Sequence, residues 1–176
     1  MKGENGSIPA FARDILRTLE AAGSEAYCVG GCVRDTLLGR TPGDWDITTS
    51  ARPEETLALF GADALPTGLR HGTVTVRRPD RSAEVTTFRR DGDYTDHRHP
   101  ESVAFTDSLT EDLARRDFTI NAMAYAPGEG LLDPFGGQQD LARGVIRCVG
   151  DPMQRMTEDA LRILRALRFS AVLGFG

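Results

Sequence analysis

Residues 26–47, AYCVGGCVRDTLLGRTPGDWDI, constrain the chain more than any other stretch. A short apolar run ends in two adjacent glycines, a residue that reaches backbone angles closed to other side chains and lets a strand turn at once into a helix. VRDTLLG then reads as a brief helix closed by Gly39, and DWDITT as a second strand. Strand, glycine turn, helix and strand in so few residues make one unit in which a sheet and helices share a core, an α+β arrangement.

Side chains alternate along a strand, so Asp44 and Asp46 are expected on one face and Trp45 on the other, toward an apolar layer. Two carboxylates held side by side repel and desolvate each other unless a cation lies between them. Mg2+ suits that place, because it takes one or two protein carboxylates and completes its shell with water and phosphate oxygens. Gly30 and Gly31 supply the complementary half: backbone N–H groups at a helix start attract phosphate, and Arg34, one turn into the helix, can grip one bidentately. Taken singly, each piece is a turn or a solvated helix position. Within one unit they point to a site for a triphosphate and a metal. A third acid would complete a two-metal site, in which Mg2+ ions roughly 4 Å apart serve an in-line displacement. Glu84 in SAEVTTF is the candidate, with an ordinary strand carboxylate as its alternative.

Elsewhere the chain alternates helix and strand signals. Pro9 opens a helix in which Phe11, Ile15, Leu16 and Leu19 recur at helical spacing up to Gly23, and RPEETLALFG reads as another, closed by Gly61. Residues 73–88 read as a hairpin, and the polar segment 91–107 as a flexible loop. Ser108 with Glu111 matches a capping box opening a helix through LTEDLARRDFTINAMAYA. PGEGLLDPFGGQQDLARG reads as loop with a short helix, VIRCVG as a strand, and Asp151-Pro152 as the start of a long helix to about Leu173. That helix carries an apolar stripe (Met156, Ala160, Ile163, Leu164, Leu167) that needs something to pack on, so the chain is expected to be the front part of a longer protein. The expected architecture is α+β, with a small mixed sheet in residues 1–149 and the beginning of a helical region in 150–176.

A net charge of −5 argues against coating nucleic acid by charge alone, which depends on an excess of Lys and Arg. Lys2 is the only lysine. Three cysteines, Cys28, Cys32 and Cys148, do not make a disulfide framework or a paired CxxC metal site, and read as small buried thiols. His97 and His99 read as solvated loop residues rather than zinc ligands. With no apolar run long enough to span a bilayer and no signal-peptide core, a soluble cytoplasmic protein is expected.

GGCVRDTLLGRTPGDWDI, AEVTTFRRDGDY, RRDFTINAMAY, LLDPFGGQQDLARGVIRCVG and EDALRILRALRF follow one another in order. Over residues 8–173 the chain resembles class II tRNA nucleotidyltransferases, the bacterial and eukaryotic CCA-adding enzymes and their poly(A) polymerase relatives. The resemblance implies a polymerase-β-like nucleotidyltransferase head followed by the start of a helical neck, with C-terminal domains that grip RNA absent from this chain. It implies that Asp44, Asp46 and Glu84 hold metal, that Gly31, Arg34 and Arg116 contact the nucleotide phosphates or sugar, and that Asp117 and Asn121 lie near the ribose. Asp159, Arg162, Arg165 and Arg168 would line the nucleotide pocket. The substrates implied are CTP, ATP and the 3′ end of tRNA, with release of pyrophosphate.

The residues themselves suggest how a base could be chosen. On a continuous helix Asp159 and Arg162 lie side by side as acceptor and donor. Cytosine and adenine each present an amino donor beside a ring-nitrogen acceptor, whereas uracil and guanine put a carbonyl where the amino group would be. A fixed Asp/Arg pair therefore accepts C and A, since a wrong base would leave buried polar groups facing like groups. Arg168 drifts about half a turn from Asp159 and suits phosphate or the neck fold as well as the base. Two other readings stand beside CCA addition: a poly(A) polymerase or A-adding enzyme, and a non-catalytic RNA-binding module on the same fold.

Overall fold

A computed structural model describes residues 8–79, 81–92 and 103–176. Helix α1 (Ala10–Ala21) buries Ala12, Ile15, Leu16 and Leu19, the spacing of one helical face. Strand β1 (Ala26–Val29) runs through Gly30 into α2 (Gly31–Leu37), and β2 (Asp46–Thr49) leads to α3 (Pro53–Phe60). Then come β3 (Ala64–Gly68), β4 (Thr73–Arg77), β5 (Ser82–Thr87) and a two-stranded ribbon, β6 (Arg89–Asp91) with β7 (Val103–Phe105). Helix α4 (Leu109–Ala114), the hairpin β8 (Ala124–Ala126) with β9 (Gly130–Leu132), α5 (Gly137–Arg143), α6 (Pro152–Glu158) and α7 (Leu161–Leu173) complete the chain.

The strands form one mixed seven-stranded sheet in the order β3-β4-β5-β2-β1-β8-β9, in which β2 and β5 pair in parallel and the other pairs are antiparallel. One face is the main core: Cys28, Ile47, Val74, Val76, Ala83 and Val85 pack under α1, α2 and α3, and Trp45 joins them. The opposite face is covered only in part, where Tyr27, Val29 and Ala124 pack with Phe88 and with Leu113 of α4. Over β3, β4 and β5 it stays open, and on β4 and β5 it carries threonines and Glu84, with the half-buried Leu65 of β3 beside Thr75. A third cluster, Phe118, Ile120, Leu141 and Cys148, receives Met156, Ala166, Phe169 and Leu173 from the C-terminal helices. All three cysteines are buried free thiols. Among the described residues, no helix is long and apolar enough to cross a membrane.

Several elements differ from the sequence expectation. The helix opened by Ser108 stops at Ala114, because the Asp117 carboxylate takes the Phe118 N–H (2.8 Å) and Phe118, Ile120, Met123 and Ala124 are buried on all sides. The expected long C-terminal helix is two helices. Asp159 is extended (φ −140°, ψ 104°) and its carboxylate accepts the Leu161 N–H at 2.9 Å, acting as a cap where a continuous helix would need it as an interior residue. VIRCVG contributes only an isolated bridge between Cys148 and Phe118. Strands β3, β8 and β9 had no clear strand pattern. The outer residues of the 91–107 loop pair in the β6–β7 ribbon, whereas residues 93–102, with His97 and His99, lie outside the described residues.

Candidate active site

Asp46 opens β2 and stands directly opposite Glu84 of the parallel strand β5 and opposite Val29 of β1. Residues paired across a sheet share a face, so the Asp46 and Glu84 carboxylates lie side by side on the open face. Asp44 precedes the strand and is exposed, while Trp45 between them points into the helix-side core, the alternation expected. Burial pushes the Asp46 carboxyl above its ordinary range. Arg116 pulls it the other way, and the charges of Glu84 and Asp44 add to the rise. Three acids therefore meet around Asp46, and mutual repulsion is not fully compensated. Among the described residues no three His, Cys, Asp or Glu side chains close into a ready metal-ligand cluster. The donors on offer are carboxylate oxygens alone, the ligand type of a hard divalent cation.

The glycine turn lies immediately beside these acids. Gly30 has φ +78° and ψ −130°, a conformation that suits glycine alone, and its N–H bonds the Met123 carbonyl at 3.3 Å. Cys32 fastens the turn to the acidic strand: its thiol donates to the Val29 carbonyl (3.3 Å) and, more weakly, to the Asp46 carbonyl (3.8 Å). No side chain caps the start of α2. A β-carbon on Gly30 would sit 3.2 Å from Nη1 of Arg116, so that guanidinium lies against the turn.

Arg116 is itself under-compensated. Among the described residues its one ion pair is a 3.5 Å contact with Asp112 and its buried Nε has no hydrogen-bond partner, and burial pushes its pKa down. A half-buried cation with a spare donor at its buried Nε, next to a glycine turn and an uncapped helix start, suits an anion.

A second network links α2 to the C-terminal helix. Arg34 bonds Asp35 (2.8 Å) and donates from Nη1 to the Asn121 side-chain oxygen (2.7 Å). Asn121 in turn donates to Asp117 at 3.4 Å, and Asp117 accepts from Arg165 at 2.7 Å. The Phe169 ring lies beneath both guanidiniums, 5.1 Å from Arg34 and 5.4 Å from Arg165. Gly30, Gly31, Arg34, Arg116, Asp117 and Asn121 thus gather around the turn, and Arg165 joins them from α7.

Arg162 and Asp159 do not form the expected side-by-side pair. Arg162 is buried and donates to the Glu158 carboxylate (2.8 Å) and the Arg155 carbonyl (2.9 Å), while the Asp159 carboxylate, at the end of α6, accepts the Leu161 N–H at the start of α7. Arg168 is exposed. Near this group a cavity of about 290 Å³ opens between β6, α4 and α6, lined by residues that include Arg90, Glu111, Arg115, Arg155 and Glu158.

Two residues of the site carried signals that sequence reading passed over. Asp112 is fully buried and accepts from Thr48 Oγ1, the Arg89 N–H and Arg115; its spacing to Arg115 and Arg116, three and four residues on, is the helix-face signature of an ion pair. Phe169 follows Arg165 by four, a spacing that sets its ring beside that guanidinium on one helix face.

A family model, the poly A polymerase head domain, matches residues 26–147. The chain belongs to this family. Among curated members, the CCA-adding enzyme of Oceanobacillus iheyensis is 55% identical over 163 residues, which cover 93% of this chain and 40% of that protein. The CCA-adding enzyme of Geobacillus thermodenitrificans is 54% identical, again over 93% of this chain and 40% of its own length. This head-domain chain therefore spans about two-fifths of the length of those relatives. The Bacillus stearothermophilus CCA-adding enzyme in complex with CTP superposes with a TM-score of 0.85 at 48% identity, over 93% of this chain and 39% of that one. A tRNA nucleotidyltransferase complexed with a primer tRNA and an incoming ATP analogue gives a TM-score of 0.74 at 37% identity, over 92% of this chain and 45% of that one.

Proposed function

We propose that this chain is the catalytic head of a nucleotidyltransferase that adds CMP and AMP, from CTP and ATP, to the 3′ end of tRNA. The observation that carries the reading is the register Val29–Asp46–Glu84, which sets two carboxylates on one open face beside the Gly30 turn and the under-paired Arg116. Curated relatives named CCA-adding enzymes support the choice of reaction. Residues 1–149 act as the head and 150–176 as the beginning of a neck. The protein works in the cytoplasm, and its grip on RNA is completed by further domains.

The Gly30–Gly31 turn and Arg116 bind the triphosphate, and Arg34 orients it while held by Asn121 and Asp35. Asp117 and Asn121 lie at the ribose. Asp44, Asp46 and Glu84 hold Mg2+, two ions in the full proposal, which supplies charge neutralisation at the phosphates and a more acidic attacking hydroxyl. The primer's 3′-hydroxyl oxygen bonds the α-phosphorus and the bond from that phosphorus to the α–β bridging oxygen breaks. Pyrophosphate leaves with the electron pair, and the hydroxyl proton passes to solvent. Asp159 and Arg162 read the base, with Arg165 and Arg168 beside them. Because Glu158 occupies the Arg162 guanidinium, an incoming base has to displace it.

The test is to incubate the full-length protein with tRNA lacking its 3′-terminal CCA and with each nucleotide separately. Incorporation of C, then of A, supports the reading. Incorporation of A alone, or of many A residues, shows an A-adding enzyme or a poly(A) polymerase, and no incorporation with retained RNA binding shows a non-catalytic module. Asp46→Ala must abolish incorporation.

A further inference from the structure

The row of cross-strand partners that contains Asp46 and Glu84 continues for one more strand. Glu84 pairs with Thr75 of β4, and the Thr75 hydroxyl is hydrogen-bonded to that of Thr67 on β3 at 2.7 Å. Across the open face the order is therefore glycine turn after β1, Asp46 on β2, Glu84 on β5 and Thr75 on β4; on the edge strand β3 the partner of Thr75 is Leu65, and Thr67, past a shift in register, reaches Thr75 through its hydroxyl. Thr67 and Glu84 are exposed and Thr75 is half-buried, whereas the continuation of this face over β1 and β8 is sealed by Leu113 and Phe88. On the other face of the same strands stand Val74, Val76, Ala83 and Val85.

We propose that Thr75 and Thr67 form the seat for the 3′-terminal ribose and phosphate of the RNA primer. The inference rests on the nucleotidyl-transfer reading and adds the location of its second substrate. An in-line displacement requires the attacking oxygen to approach the α-phosphorus from the side opposite the departing pyrophosphate. Pyrophosphate leaves toward Gly30 and Arg116, on the β1 side of the acids, so the hydroxyl arrives from the β4 side. Strand spacing of roughly 4.8 Å puts Thr75 about 10 Å from the β2 backbone, a distance that a single sugar and phosphate can bridge.

The chemistry fits as well. Of two neutral hydroxyls that bond each other, one proton is held within the pair and the other is free to donate to a phosphate or ribose oxygen, while both oxygens can accept from a ribose hydroxyl, all without adding charge beside the carboxylates. Arg77, two residues beyond Thr75 on the same side of β4, is exposed, and its guanidinium bonds the Ala62 carbonyl at 3.3 Å. It supplies the cation for the next phosphate back along the strand.

The experiment uses the full-length protein and the variants Thr75→Val, Thr67→Val and their double, with Thr75→Ser as the rescue. The β-branched shape is kept at these positions and only the hydroxyl is lost. The double variant is expected to raise KM for tRNA lacking its terminal CCA about tenfold, the loss of one or two hydrogen bonds. KM for CTP and equilibrium binding of CTP should stay at the wild-type value, and Thr75→Ser should restore primer KM. An unchanged primer KM overturns the proposal, as does an equal rise in KM for CTP. A wild-type protein that extends no tRNA rejects the functional reading itself, which is a different outcome. Independently of any variant's folding, a primer with a photoreactive 3′-terminal nucleotide should crosslink to residues 73–77; a crosslink confined to α6 or α7 overturns the proposal.

Discussion

Replacing Asp112 with alanine should cost more stability than any other change near the site. Its carboxylate is fully buried and gathers four donors from three segments: Thr48 Oγ1 of β2 (3.1 Å), the Arg89 N–H of β6 (3.2 Å), Arg115 Nε (3.0 Å) and Arg116 (3.5 Å). The variant leaves two guanidiniums, a hydroxyl and an amide without their acceptor. Breaking a buried ion pair from one side costs about 3–5 kcal/mol. For a domain of this size that corresponds to a fall of roughly 6–20 °C in the unfolding midpoint. Calorimetry or urea unfolding of the 176-residue chain measures it. The pH dependence adds a second signature. Burial alone would raise the Asp112 carboxyl, but Arg115, Arg116 and the Arg89 N–H more than offset it and hold it below the ordinary range. A depressed carboxyl contributes stability that is present above its unfolded pKa and lost as pH falls through the folded one. The gap between wild type and Asp112→Asn should accordingly be level at neutral pH and close only in acid. A loss under about 1 kcal/mol, the ordinary cost of a single substitution, would refute the view of Asp112 as the clasp joining β2, β6 and α4.

Asp46→Asn is expected to stabilise the fold at neutral pH while abolishing nucleotide transfer: the carboxyl's folded pKa is raised, so its ionised form is disfavoured, and the advantage of the variant should vanish as pH falls and wild-type Asp46 protonates. Urea unfolding at neutral and acid pH measures this. Gly30→Ala should cost about 1–2 kcal/mol from its positive φ and, because the new carbon meets Arg116 Nη1 at 3.2 Å, weaken CTP binding by more than it lowers stability; titration calorimetry together with unfolding separates the two. Phe169→Ala removes the ring that stacks beneath Arg34 and Arg165 and meets Phe118 edge-on at 5.8 Å, and should weaken ATP and CTP binding together, since none of these contacts is to a base. Arg162→Ala should blur C-against-U choice more than it weakens triphosphate binding; unchanged discrimination rejects base reading by this residue.

What the sequence made legible, and what it hid, divides along physical lines. The strand, glycine turn, helix and strand unit is local, so composition and two-residue alternation were enough to put Asp44 and Asp46 on one side and Trp45 on the other. Glu84 was reachable because the hairpin pattern of 73–88 is equally local, although only the parallel pairing of β2 with β5 brings it opposite Asp46. In the C-terminal helices the apolar stripe was legible as a face that needs a partner, whereas the contacts that hold the opposite face were not. In the fold, Ile163, Leu164 and Leu167 are exposed, while Arg165 and Phe169 meet the head at Asp117 and Phe118 and Arg162 pairs with Glu158 of α6. Hydrophobic periodicity reports which face can be buried at low cost, and specific ion pairs with Asp117 and Glu158 outweighed it. The two helices expected from Ser108 and from Pro152 are each interrupted where an aspartate takes a backbone N–H, at Asp117 and at Asp159. An acidic residue's pull on nearby amides is invisible to a periodicity count. Both interruptions fall in segments that carry proposed nucleotide contacts, Asp117 with Asn121 and Asp159 with Arg162. The charges proposed to bind nucleotide are thus the charges that set the helix boundaries, and a substitution at Asp117 should shift the position of α7 and the affinity for nucleotide together.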